Sequence, residues 1–313
     1  MEFNGTNQSK ATFVCYGLQT FEYRPTVAYI YTLLFTATFN IVVGTISTMA
    51  NSLVIFVILK DKQLRTKTNQ LLMLLAVTDV LVGAVTIPLS VTNRITAMHE
   101  IHLCSLHAWH SFFAYLLCVW SVAGVCAISV DRYVATNHAV MFRRASYHRK
   151  KKKMLLSFWV LWLFFIPLPY LKLVSFKIYN MLVSGIISVS LVVVCSCYFK
   201  VIQKLKSNAK KQQENQDSSI PRTFTRQASH FVVKKTITIS ALVTLAFFIS
   251  LSPRFVMILV LAIIGRDFNK VAISGMYTES FVYLNSAVNP IIYLWRLPDV
   301  RRAVFHIFQR VRH

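Results

Sequence analysis

The sequence predicts an all-α membrane protein, a bundle of seven membrane-crossing helices followed by a short amphipathic eighth helix. Three observations carry that expectation. Hydrophobic residues make up 55% of the 313 positions and charged ones 14%, with a mean hydropathy of +0.53, far from the composition of soluble domains. Seven apolar stretches lie at roughly 28–59, 69–92, 104–136, 154–171, 175–199, 236–264 and 272–295, each near the length of about 20 residues that crosses a bilayer. The connections between them alternate in charge: 60–68, 137–153, 200–235 and 296–313 hold 25 lysines and arginines, whereas 1–27, 93–103, 172–174 together with Lys177, and 265–271 hold 7.

Positive charge marks the cytoplasmic side. Residues 1–27 are therefore expected to be extracellular, 28–295 to form the bundle, and 296–313 to be an amphipathic helix and short cytoplasmic tail, in the plasma membrane. With most of the chain in the membrane, no separate globular domain is expected. The net charge of +23 then belongs to the membrane surface. Arg149-Lys150-Lys151-Lys152-Lys153 suits anionic inner-leaflet lipid better than nucleic acid. No early apolar core follows basic residues at the N-terminus, so no cleavable signal peptide is expected.

The first segment carries Asn4-Gly5-Thr6 and Asn7-Gln8-Ser9, two glycosylation acceptor patterns. Of six cysteines, only Cys15 and Cys104 fall at the oxidising face, where a disulfide can join them. Cys118, Cys126, Cys195 and Cys197 lie within spans as small packing residues. The fourth span is interrupted by Pro167 and Pro169, and the fifth is bounded by Lys172, Lys177 and Lys200. The 200–235 connection is polar without apolar periodicity and reads as a mobile cytoplasmic loop. Its Ser218, Ser219, Thr223, Thr225 and Ser229 are candidate phosphorylation sites, each worth about two negative charges in a basic loop, and offer kinases and arrestin a place to act. A solvated loop with incidental hydroxyls explains the same composition. The tail from Leu294 onward has no Ser or Thr.

Ionisable residues at membrane depth are costly and functional by default. Four stand out: Asp79, Arg132, Arg254 and Glu279. Asn51, Ser121, Asn285, Ser286 and Asn289 are mid-span groups able to converge on Asp79. A carboxylate with hydroxyl and amide oxygens suits a hard cation such as Na⁺; a protonated Asp79 tying helices together is the alternative. Pro290, within Asn289-Pro290-Ile291-Ile292-Tyr293, removes one backbone donor and bends the last span, which demands compensating partners in hydrocarbon.

Asn51, Asp79, Ser121, Asp131-Arg132-Tyr133, Trp159 with Pro169, Tyr198, Pro253 and the run Leu284 to Tyr293 fall one set per span, in order. This pattern resembles a rhodopsin-class (class A) G-protein-coupled receptor over essentially all of 28–313. The resemblance implies that Arg132 meets a heterotrimeric G protein, that Asp131 orients it, and that Tyr198 and Tyr293 swing beneath it on activation. It also implies a sodium pocket of Asp79, Ser121, Asn285, Ser286 and Asn289. The stretch Trp295 to Phe308 resembles the family's eighth helix, with Val300, Val304, Ile307 and Phe308 on one face, suited to lying on the membrane.

Departures from the family pattern narrow the reading. His107 stands where a third-span cysteine is usual, and the loop after span four has no cysteine, so the family's usual disulfide cannot form. Ser190 replaces a fifth-span proline, and Leu251 replaces a tryptophan. Around Val233, Lys234 and Lys235 no acid is present to restrain Arg132, which predicts raised basal activity. The short loop and proline-free fifth span loosely resemble melanocortin, lysophospholipid and cannabinoid receptors. Ala114 withholds the acid that receptors for classical amines carry, and Tyr283 replaces the lysine that would hold retinal. The implied ligand pocket comprises Ala114, Tyr115, Cys118, Leu182, Ile186, Leu251, Arg254, Phe255, Ile258, Glu279 and Tyr283. Arg254 there either grips a ligand carboxylate or phosphate or pairs with Glu279 as a structural bridge. The expected function is transduction of an extracellular ligand signal, with no catalytic chemistry. Two alternatives are a channel or transporter with a path past Asp79, and a receptor-like partner subunit that no longer signals.

Overall fold

The computed structural model describes residues 11–15, 18–23, 26–99, 101, 103–214, 237, 238, 240–257, 268–296 and 298–311. It opens with an antiparallel hairpin, β1 (Ala11–Cys15) and β2 (Leu18–Tyr23), in which Ala11 faces Tyr23 and Phe13 faces Phe21. Single-chain periodicity gave no hint of this hairpin. The long helix α1 (Val27–Lys60) follows. Thr26 caps it by accepting from the Tyr29 amide, and Asp61 ends it in extended geometry. Its 34 residues span about 50 Å, more than the hydrocarbon core requires.

The second span is one rod in three parts: α2 (Lys67–Leu81), a π-helical turn at Val82–Thr86, and α3 (Ile87–Met98). Gly83 lies in that wide turn against α1. A Cβ there would sit 2.5 Å from Thr48 Oγ1 and 2.8 Å from the Gly44 carbonyl oxygen, so this close approach requires glycine. The rod runs two turns past the expected end at residue 92, which brings Arg94 inside the bundle.

Helix α4 (Cys104–Asn137) matches the third expected span. The short α5 (Ala139–Arg143) leads into α6 (Ala145–Phe165), which begins in the basic run and stops ahead of Pro167, earlier than the sequence suggested. Trp120 and Trp159 stack at 5.0 Å between α4 and α6. Helix α7 (Phe176–Glu214) continues four turns beyond the fifth span. The 200–214 part of the expected mobile loop is therefore helical, and its remainder lies outside the described residues. Then come α8 (Ser240–Met257), α9 (Phe268–Arg296) with Pro290 inside it, and α10 (Pro298–Val311).

Five described helical segments are long and apolar enough to cross a membrane: α1, the α2–α3 rod from Asn69, α4, α7 from Met181, and α8. The remaining two places of the bundle are filled by α6, diluted by its basic start, and α9, diluted by buried polar residues. The central core joins Leu75, Val122, Val125, Ile128, Val243, Phe247, Leu251 and Tyr293 from four spans. Val300 and Val304 of α10 pack on Val57 and Leu64 while Arg301 and Arg302 are exposed. That is the amphipathic seating expected of an eighth helix. The side chains of Ile307 and Phe308 lie outside the described set.

Candidate functional site

Buried polar residues gather in three places along the bundle. At one end, α4 carries Asp131 and Arg132, both almost fully buried. Arg132 Nη2 donates to Asp131 Oδ2 at 2.9 Å, and Lys151 of α6 donates to Asp131 Oδ1. One carboxylate thus holds two cations from two helices. The sequence offered Asp131 as the partner of Arg132 but gave no sign of Lys151, which sits in an otherwise exposed basic run. Tyr133 bonds His138, and Lys200 lies over its ring at 5.6 Å. Tyr198 shares a hydrogen bond with Thr244 of α8 at 3.2 Å. Tyr293 is fully buried with its hydroxyl unpartnered. Val233, Lys234 and Lys235 lie outside the described residues.

Midway, Asp79 has no exposure and accepts from Asn289 Nδ2 at 2.8 Å. Asn51 Nδ2 donates to the carbonyls of Ser47 and Ser286 at 2.9 Å each, and Ser47 Oγ donates to the Asp79 carbonyl. Ser121 Oγ donates to Thr78 Oγ1 at 3.3 Å. Pro290 accordingly sits within α9 beside a residue bonded across to α2. Four buried oxygens, Asp79 Oδ1, Asn51 Oδ1, Asn285 Oδ1 and Asn289 Oδ1, have no protein partner. Such a set of hard acceptors fits a small hard cation.

At the other end, Glu279 of α9 is the hub. Its Oε2 accepts from Arg94 Nη2 at 3.0 Å, and its Oε1 accepts from Ser90 Oγ at 3.1 Å and from Tyr283. His110 Nε2 stands 2.8 Å from both Glu279 Oε1 and the Tyr283 hydroxyl. Arg94 also reaches Ser280 Oγ and the Met276 carbonyl. The partner of Glu279 is therefore Arg94 with His110, and the Arg254–Glu279 bridge weighed from sequence does not form. Placing Arg94 in a loop caused the error. A signal was present, because Ile87, Ser90, Val91, Arg94 and Ala97, all buried, recur at helical spacing.

Of the other expected pocket residues, Tyr115 packs edge-on to Tyr179 at 5.1 Å, with Ile186 against the same cluster. Leu251 is buried in the central core, against which Cys118 packs. Ala114 is half-buried, whereas Leu182 and Phe255 are 46% and 37% exposed, the outermost of the set. Ile258, Asn4 and Asn7 lie outside the described residues. Cys104 is disulfide-bonded, and Cys118, Cys126, Cys195 and Cys197 are free; the side chain of Cys15 lies outside the described set.

The arrangement has parallels among known proteins. The chain is 28% identical over 286 residues to trace amine-associated receptor 365 of Petromyzon marinus, covering 79% of this chain and 72% of that one. It is 32% identical over 122 residues to the alpha-2B adrenergic receptor of Didelphis virginiana, and 30% over 124 residues to human 5-hydroxytryptamine receptor 1E. Those two matches cover 38% and 40% of this chain and about a third of each relative. These relatives carry amine-receptor names and lend no support to the melanocortin, lysophospholipid or cannabinoid likeness. Squid rhodopsin shares the fold, with a TM-score of 0.75, 21% identity and coverage of 93% of this chain and 88% of that one. The family model of the seven-transmembrane receptors of the rhodopsin family matches residues 50–293, most of the bundle and all three polar centres. The protein is a multi-pass membrane receptor rather than an enzyme, and it belongs to the rhodopsin family of seven-transmembrane receptors.

Proposed function

We propose that the protein is a plasma-membrane receptor that passes an extracellular ligand signal to a heterotrimeric G protein, with its N-terminus outside and its C-terminus in the cytoplasm. The observation that carries this reading is the buried Asp131–Arg132 pair at the end of α4 in a chain of this family. The experiment is a panel of biosensors for each Gα class in cells expressing the receptor at a measured surface density. Activation of at least one class above receptor-free cells is expected. Silence across the panel would make the chain a non-signalling partner subunit.

The ligand is a small extracellular molecule that enters from the Glu279 end. The relatives' names point to amines, but Ala114 supplies no carboxylate and Glu279 is already paired with Arg94 and His110. Sodium is the expected allosteric ion, held by Asp79 with the free oxygens of Asn51, Asn285 and Asn289, and favouring the resting state. Added Na⁺ should raise the thermal stability of the wild type and leave Asp79→Asn unmoved. A sodium response that survives in Asp79→Asn would place the ion elsewhere.

Basal signalling is expected to be high, because Lys234 and Lys235 replace the span-six acid that would restrain Arg132. Val233→Glu should lower basal signalling at equal surface density by about fivefold, equivalent to about 1 kcal/mol. No change would mean that Asp131 alone sets the resting balance. Kinases and arrestin are expected to act through Ser218, Ser219, Thr223, Thr225 and Ser229, hydroxyls that lie in one polar stretch with Arg222 and Arg226.

A further inference from the structure

Arg254 of α8 is half-buried in the Glu279 half of the bundle. Its Nη1 lies beside Gly275 of α9, within 3.7 Å of where a Cβ would stand. The same guanidinium is within electrostatic reach of Tyr115 and Cys118 of α4. It thus lies, half-buried, where α4, α8 and α9 come together. Among the described residues no carboxylate meets it. The obvious candidate, Glu279, has both oxygens engaged, one by Arg94 and the other by Ser90, Tyr283 and His110. Among the described residues, two guanidiniums therefore share this half of the bundle with one carboxylate, and a positive charge is left over. Burying a charge without a counter-charge is costly, and more so at membrane depth. Among the described residues nothing neutralises it, which leaves the place open to a negative charge carried by a ligand.

We propose that this pocket binds a small monoanion, an aromatic or aliphatic body bearing one carboxylate, with Arg254 as the residue that grips the carboxylate. A planar guanidinium presents two parallel donors that match a carboxylate. One unbalanced positive charge calls for one negative charge, so a monoanion fits better than a phosphate dianion. The body of the ligand rests on Tyr115, Cys118 and Leu251, an apolar and aromatic floor. Gly275 lines the guanidinium with backbone alone, and a Cβ there would only come into ordinary contact with Nη1, at 3.7 Å. The absence of an acid at Ala114 removes the group that would favour an amine in the same space. This deepens the receptor reading and rests on it for its consequence, though binding is measurable without signalling.

Thermal unfolding of the purified full-length receptor, with indole-3-acetate and tryptamine as probes, tests the proposal. The two share one ring system and carry opposite charges. Indole-3-acetate at millimolar concentration should raise Tm, since a ligand that binds only the folded state stabilises it by mass action, and tryptamine should not. Arg254→Met should erase the shift and, without ligand, melt at or above the wild-type temperature, because an unbalanced charge has gone. Arg254→Lys should keep a smaller shift, having the charge but not the fork. Any of three results overturns the proposal: no shift with indole-3-acetate, an equal shift in Arg254→Met, or a ligand-free Arg254→Met that is clearly less stable than wild type. The last would mean that the chain itself supplies the counter-charge. Loss of G-protein activation in Arg132→Ala concerns the opposite end of the bundle, so failure here and failure of the receptor reading are told apart.

Discussion

Glu279→Gln is expected to strip the receptor of most of its stability and of its surface expression. The substitution leaves Arg94, almost fully buried, without its carboxylate, and breaking one side of a buried pair costs about 3–5 kcal/mol. Whole domains are stable by only about 5–15 kcal/mol. The loss should be larger than for a pair alone, because glutamine keeps one acceptor oxygen where Arg94, Ser90, Tyr283 and His110 now share two, and it puts an NH2 donor in place of the other. Arg94→Gln should be milder, since His110 remains beside the carboxylate. The double variant should recover part of the loss, with a coupling energy of about 1–3 kcal/mol by double-mutant cycle. Thermal unfolding of all four proteins measures it. Additive effects would mean that Arg94 and Glu279 do not hold spans two and seven together.

Asp131→Asn is expected to raise basal signalling by about fivefold to thirtyfold, a shift of about 1–2 kcal/mol in the resting equilibrium. Asp131 has no exposure and is the acceptor of both Arg132 and Lys151. Neutralising it releases both at once. Lys151→Ala has the opposite expected sign: with its competitor gone, the whole carboxylate charge is available to Arg132, and basal signalling should fall. Nucleotide exchange at matched receptor density reads both. A rise in Lys151→Ala would mean that Lys151 works by fixing the position of Asp131 rather than by sharing its charge.

Each span was legible in the sequence because membrane helices are written in a single variable, apolar length, and because the positive charge alternates between faces. Errors came where other forces set the boundary. α3 outran its apolar run because Arg94 is neutralised inside the bundle, and hydropathy counts an arginine as a loop regardless of its partner. α7 outran the fifth span because lysine and glutamine are good helix formers in water. The hairpin at Ala11–Tyr23 depends on cross-strand pairing between short segments that no periodicity of one strand reveals. The same division applies to the site. Asp79, Asn289, Asp131 and Arg132 were legible as isolated polar residues in apolar surroundings. Lys151 and His110 were not, since one is hidden in a basic run and the other among the polar residues at the start of α4, and only the third dimension gives each its carboxylate.

The central claim is that the Arg132 end of this bundle activates a G protein. Guanine-nucleotide exchange on purified Gα, catalysed by the receptor in lipid nanodiscs without ligand, tests it most directly. The wild type should accelerate exchange above empty nanodiscs for at least one Gα class, and Arg132→Ala should return the rate to that of empty discs while keeping the wild-type Tm within a few degrees. An Arg132→Ala receptor that is folded and as active as the wild type would contradict the account.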